Sequence, residues 1–311
     1  MNILFWMDPI CGIDPKKDTT YLLIYGCQIK KLTPYFINSI IIENHKLQVN
    51  VQKILPVTLG QPLALANEPI TLNEDEIQGI WLRKDPPVNE SYMQDLLLLN
   101  QFSDRVHMFN NINGILLNNE KLSATQFINY TPNTLISKSK TDIKKFIVKH
   151  NLCVLKPLNG YGGQGIFKVT INDTNLDPII ESLTQNELNQ IICQKAVDNT
   201  TGDKRIILLD GEAIGAVKRI NHVGHRNNFM AGGLAEKTEI SEEEFRIINE
   251  IRQFIKSNDL FFVGIDIIDH HLIEINVTSP TGLQEINLLN KCQLETKIIE
   301  KMIQKIGGKN A

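Results

Sequence analysis

Lys156 closes one apolar run, and four glycines, Gly160, Gly162, Gly163 and Gly165, separate it from the next, within residues 154–169, VLKPLNGYGGQGIFKV. Glycines remove side chains and admit positive φ, so successive backbone N–H groups can turn inward and form a concavity for an anion. A lysine at its mouth adds a full positive charge, and the combination suits a polyphosphate. The order of residues is neither the Walker pattern nor the dinucleotide fingerprint, whose glycines open a helix. Taken alone, the stretch reads equally as a flexible surface turn. A second set lies in residues 261–282, FFVGIDIIDHHLIEINVTSPTG, which read as a hairpin turning at about 269–271. Glu274 and Asn276, two apart on a strand, share a face, and Asp266 falls opposite Glu274 on the partner strand. Carboxylates side by side in apolar strands need a cation or a proton. Three oxygen ligands suit Mg²⁺, completed by phosphate and water; the alternative is a solvated polar face on an amphipathic strand. His270 and His271 are adjacent, so their side chains point apart, and they read as turn residues rather than ligands.

Elements must bring these groups together. The hairpin around the glycine loop pairs strands near 153–155 and 166–169, preceded by a capped helix over 139–150 and followed by a helix near 177–188 and a strand at 191–197. That is a small α+β unit. Before it, residues 2–7 read as a buried strand, 19–31 as a helix, 36–43 and 46–55 as strands joined at Asn44 and His45, 76–87 as a strand leading into a helix over 91–101, and 106–109 as a short strand. Repeated βα steps argue for an open α/β sheet. Asp8 follows the first strand, and Arg83 ends another before Pro86 and Pro87. Carboxyl ends of strands in such sheets are where ligands bind, although solvated loop charges gather there as well. Residues 113–127, carrying Lys121, read as one helix, and 131–137 as an extended segment. Past a polar turn at 198–203, two alternating strands meet at Asp210 and Gly211. Residues 221–233 form a long aperiodic loop, open to reading as a functional lid or as plain surface, and 241–258 a capped amphipathic helix.

Bulk properties bound the rest. With 311 residues a substantial core and two or three domains are expected. A net charge of −3 gives no basic excess for nucleic acid or an anionic membrane, so an anionic ligand must be held by local cations. Five scattered cysteines without a CxxC pair fit reduced thiols, and the opening residues MNILFWMDPICGID lack the basic region of a signal peptide. A cytoplasmic protein without a membrane span is expected.

On these residues the chain resembles the bacterial type of glutathione synthetase, a member of the ATP-grasp ligases. The resemblance runs through MDPI (7–10), LRKDPP (82–87), NEKL (119–122), the glycine loop, GDKR (202–205), AGG (231–233), FVGIDII (262–268) and EINVTSPTG (274–282). It implies an α/β ATP-grasp fold: an N-terminal open α/β domain over 1–118, a small α+β lid over 119–197 and a C-terminal catalytic α+β domain over 198–311. It implies that Lys121 and Lys156 hold ATP phosphates under the loop of Gly160, Gly162, Gly163 and Gly165, with Gln194, Lys195, Ala196, Val197 and Asp203 also at the nucleotide. Asp266, Glu274 and Asn276 match the ligands of Mg²⁺, with Mn²⁺ as a substitute. Asp8, Arg83, Arg205, Arg219, Ser279 and Thr281 match positions that hold the dipeptide, and Arg205, Arg219 and Arg226 those that meet charge in the transition state. The implied reaction joins γ-glutamylcysteine to glycine with ATP as co-substrate, in a homotetramer. Other readings are a different carboxylate–amine ligase of the same fold, or a non-catalytic ATP-binding regulator. The chain departs from the family in its lid loop. Where members carry a GETRGN-like run it has GHRNN (224–228), one residue shorter, lacking the glutamate and with Asn227 in place of a glycine.

Overall fold

The computed structural model describes residues 1–221, 227–229 and 232–308. Its strands form three sheets. The first contains β1 (Asn2–Trp6), β2 (Thr33–Glu43), β3 (Lys46–Lys53), β4 (Ile70–Asn73), β5 (Gly79–Leu82) and β6 (His107–Phe109), in the order β4-β3-β2-β1-β5-β6. Ile3, Leu4 and Phe5 are wholly buried in β1, which pairs in parallel with β2 and β5. Burial on both faces is what a central parallel strand requires. Asn44 and His45 turn β2 into β3 with φ of 51° and 60°. The intervening helices are α1 (Thr19–Ile29), capped by Asp18, and α2 (Glu90–Asn100), capped by Asn89.

The next segment corrects an expectation. Residues 113–127 are not one helix but two short ones, α3 (Ile112–Leu117) and α4 (Glu120–Ala124). The break has a local cause. Asn119 takes an extended conformation, and its side chain accepts from the N–H groups of Lys121 and Leu122, so it starts a new helix instead of continuing the old one. Ala124 packs into the core of the third sheet, not into the lid.

The second sheet, in the order β7-β10-β8-β9, is built from β7 (Thr134–Ser137), β8 (Leu152–Pro157), β9 (Phe167–Thr170) and β10 (Ile191–Lys195), backed by α5 (Lys140–His150) and α6 (Leu176–Thr184). The third, in the order β13-β12-β11-β14-β15, comprises β11 (Asp203–Leu209), β12 (Glu212–Ile220), β13 (Leu234–Lys237), β14 (Phe262–Ile268) and β15 (His271–Asn276). α7 (Glu242–Ser257) covers one face through Ile247, Ile248, Ile251 and Ile255, and opens on a capping box between Ser241 and Glu244.

Two further helices, α8 (Leu283–Asn290) and α9 (Leu294–Gly308), lie in a stretch for which the sequence reading named no element. The signal was present: Ile298, Ile299, Met302 and Ile306 recur at helical spacing and are all buried. α9 lies on α1. Gly26 allows that approach, since a Cβ there would stand 3.0 Å from Ile299 and 3.2 Å from the Glu295 carbonyl.

Packing divides unevenly. One apolar cluster joins the first sheet and α1 (Ile3, Tyr21, Ile24, Trp81) to the third sheet and C-terminal helices (Ile207, Phe262, Ile298, Met302). The second sheet has a cluster of its own, from Ile143 and Ile147 through Leu155 and Ile180 to Ile191. Asn110 stitches the first and third units: its Nδ2 donates to the Phe262 and Val277 carbonyls, 2.8 Å each, and its Oδ1 accepts from Phe262 N at 2.6 Å.

Candidate active site

Sheets two and three face each other across a cavity of about 280 Å³. On the lid side, Lys156 lies near the end of β8, and the loop to β9 holds Gly162, Gly163 and Gly165 at φ of 60°, 75° and 68°. Gly160 is needed for space instead, because a Cβ there would meet Pro157 Cγ at 2.6 Å. Lys156 is buried, and its Nζ donates to Gln194 Oε1 at 2.8 Å. Burial lowers its pKa to about 8. Charge on a desolvated ammonium is costly, and an opposite charge beside it would offset that cost. Lys121, also buried, donates from Nζ to the Gly160 carbonyl and pairs with Glu274 Oε1 at 3.2 Å. Lys195, Ala196 and Val197 line the same wall.

On the opposite side β14 and β15 pair with Asp266 directly across from Glu274, and Asn276 two residues on lines the same cavity. Arg205 on β11 forks onto Asp266 at 2.5 and 2.8 Å, and Arg219 on β12 reaches it at 3.0 Å. Arg219 also holds Asp203 with two bonds of 2.6 and 2.9 Å. Burial alone would raise the Asp266 pKa, but the two guanidiniums overcome it and hold the carboxylate well below its usual range. Asp203, expected at the nucleotide, lines the cavity but commits both oxygens to Arg219, and burial pushes its pKa up.

The donor set fits a hard divalent cation. Two carboxylates in register and an amide stand together, Asn276 Nδ2 being spent on Gly264 O at 3.1 Å, and no thiol or imidazole is among the described residues lining the cavity. All-oxygen sites of this kind suit Mg²⁺.

A second cavity, of about 320 Å³, holds Asp8 and Arg83 and adjoins the first at Asp85. Arg83 is buried, and desolvation lowers its pKa. Its Nε donates to Thr20 Oγ1 at 3.1 Å and its Nη2 to the Pro280 carbonyl at 3.0 Å, while Nη1 has no partner among the described residues. Ser279 Oγ donates to the Arg83 carbonyl at 3.2 Å, and Arg205 Nη1 reaches Thr281 O at 3.2 Å. The segment after β15 thus touches both arginines. Arg226 and Ala231 lie outside the described residues; Asn227 is buried, its Oδ1 accepting from Asn221 N at 3.1 Å.

Sequence reasoning missed Glu120, whose Oε1 accepts from Val277 N, Thr278 N and Thr278 Oγ1 at 2.9, 3.0 and 2.8 Å. It missed Phe229 as well, whose ring lies 5.7 Å from the Arg219 guanidinium carbon. Glu120 gives only a cap-like signal in its own neighbourhood, and nothing local announces partners more than 150 residues away.

Comparison with known proteins agrees with this geometry. A model of the prokaryotic glutathione synthetase N-terminal domain matches residues 1–115, and one of the prokaryotic glutathione synthetase ATP-grasp domain matches residues 120–291. The chain is 36% identical over 308 residues to the glutathione synthetase of Prochlorococcus marinus subsp. pastoris, covering 98% of this chain and 99% of that one. It is 35% identical to the glutathione synthetase of Nostoc sp., over 96% of this chain and 97% of the relative. Among solved structures, D-cycloserine synthetase DcsG superposes with a TM-score of 0.70 at 10% identity, covering 98% and 100% of the two chains. The ATP-grasp ligase PsnB, in complex with a precursor variant, Mg and ADP, gives 0.62 at 15% identity over 97% of each. Those two likenesses establish the ATP-grasp fold. The chain belongs to the prokaryotic glutathione synthetase family.

Proposed function

We propose that this protein ligates γ-glutamylcysteine to glycine at the expense of ATP, giving glutathione, ADP and phosphate. The observation that carries the reading is the single cavity on which Lys121, Lys156 and the glycine loop face the registered pair Asp266 and Glu274, with Arg83 and Arg205 joined to it by residues 279–281.

A carboxylate is a poor electrophile, so the dipeptide carboxylate oxygen attacks the γ-phosphorus of ATP, ADP departs, and an acyl phosphate forms. Lys121 and Lys156 sit where the transferred phosphoryl group and its neighbours carry charge. Asp266, Glu274 and Asn276 would hold Mg²⁺, with Mn²⁺ as a substitute, which when bound offsets phosphate charge. Arg83 Nη1 is left to hold a substrate carboxylate, with Asp8, Ser279 and Thr281 beside it. The glycine amine then attacks the acyl carbon, loses a proton, and phosphate leaves. Arg219, which lines the cavity while clasping Asp203 and Asp266, would meet the oxyanion of the tetrahedral intermediate, with Arg205 and Arg226 supporting the charge. Gln194, Lys195, Ala196 and Val197 form the wall assigned to adenine, and Asp203 steadies Arg219. Water would destroy the acyl phosphate, so the second sheet, within a subdomain over 119–197 rooted on the third sheet at α4, serves as a lid beside an N-terminal domain over 1–118 and a catalytic domain over 198–311. No helix among the described residues is long and apolar enough to cross a membrane; a cytoplasmic homotetramer completes the reading.

The test is phosphate release from purified protein. It should require ATP, γ-glutamylcysteine and glycine together. Release indifferent to the dipeptide or to the amine would overturn the assignment, and preference for another acid or amine would redirect it within the same reaction class.

A further inference from the structure

Three consecutive residues at the root of the lid face two different parts of the site. Asn119 Nδ2 donates to Leu158 O at 3.2 Å and Asn159 Oδ1 at 3.3 Å, immediately before Gly160. Lys121 Nζ donates to Gly160 O. Both therefore grip the start of the glycine-rich loop. Between them Glu120 turns the other way, and one of its oxygens gathers the three donors of Val277 and Thr278. Those two residues open the segment whose Pro280 and Thr281 carbonyls receive Arg83 and Arg205.

α4 has only 5 residues, too short to hold its shape by helix propensity. Ala124 seats it on the third sheet while Asn119, Glu120 and Lys121 grip on either side, so Glu120 stands where a shift of the glycine loop would reach residues 277–281. A carboxylate oxygen that accepts two successive backbone N–H groups and a hydroxyl is a strong, directional tether.

We propose that Glu120 is a positioning residue that couples the nucleotide loop to the segment presenting Arg83 and Arg205, so that closure over nucleotide and readiness for the dipeptide are set together. Naming the second ligand as a dipeptide rests on the function proposed above; the mechanical coupling does not.

Two measurements on the full chain test it, with Glu120→Ala and Glu120→Gln beside the wild type. The first is hydrogen–deuterium exchange with and without ADP. In the wild type ADP should slow exchange at Val277 and Thr278. In Glu120→Ala these amides should exchange roughly tenfold faster without ligand, and the ADP effect on them should vanish, because the buried donors have lost their acceptor. The second is a comparison of the KM for γ-glutamylcysteine with the Kd for ADP. Glu120→Ala should raise the former roughly tenfold while the latter stays within about twofold, the pattern of a displaced substrate loop. Glu120→Gln keeps an acceptor oxygen and should recover most of both.

Unchanged exchange at Val277 and Thr278 in Glu120→Ala would overturn the coupling. So would a Glu120→Gln enzyme as impaired as Glu120→Ala, which would make the negative charge the working feature, since Glu120 also lines the cavity. An equal loss of ADP affinity would overturn it too. Should Glu120→Ala not fold, Thr278→Val removes one of the three donors and should show part of the same exchange signature; none at all would count against the proposal. A wild type that ignores γ-glutamylcysteine would sink the function reading, while the ADP-dependent exchange would still decide the coupling.

Discussion

Lys156 meets its environment with a charge the protein interior disfavours. Burial lowers its pKa from 10.5 to about 8. A polyphosphate binds the protonated form, so nucleotide affinity should fall as pH climbs through about 8, approaching about tenfold per pH unit, with proton uptake on binding. Calorimetry in buffers of different ionisation enthalpy checks this, and Lys156→Met should lose the dependence. The sign for folding is opposite. The folded pKa lies below the unfolded value, so this lysine costs stability below pH 8, and that cost fades as pH rises from 8 towards 10.5. At this scale much was legible in the sequence: period-two alternation alone placed Asp266 opposite Glu274 with Asn276 on the same face, and the β14–β15 register bears it out. What alternation could not give was partnership. That Asp266 would be clasped by Arg205 and Arg219 depends on how three strands lie side by side, a fact of tertiary register.

Elements were read well where periodicity and caps agreed, as in α5 behind Ser139 and α7 behind its capping box. They were misread at α3 and α4, where apolar residues continue but Asn119 prefers to cap. The connection between elements was least visible. Asn110 follows a short edge strand in an unremarkable sequence, yet its amide acts as a rung between units, binding Phe262 on both sides of its peptide and Val277 beyond. Asn110→Ala would strand three buried backbone groups at once. We expect a loss of roughly 2 to 4 kcal/mol, seen as a lower denaturant midpoint with an unchanged m-value. Asn110→Asp should rescue little, since it keeps the acceptor and loses the donors.

The whole molecule has a shared core and a separate one. The first and third sheets are sealed by one apolar cluster, whereas the lid closes on its own residues. Inter-domain motion is therefore expected at the lid, not between the other two units. Ile180, fully buried there, provides a test. Ile180→Ala should destabilise the lid by roughly 2 to 4 kcal/mol and weaken nucleotide binding. The chain's 2 tryptophans, Trp6 and Trp81, are buried outside the lid, so the melt followed by their fluorescence should hardly move while exchange in residues 140–195 accelerates.

The seat of α9 against α1, made close by Gly26, sets a schedule for biosynthesis. Tyr21, Leu23 and Ile24 leave the ribosome long before the segment that shelters them, with Ile298, Ile299 and Met302. Until then the young N-terminal half carries a sticky flank with no lawful occupant. Nascent chains stalled short of α9 should for that reason be the ones that clump or recruit holdases, and chains released after it the ones that stay dispersed.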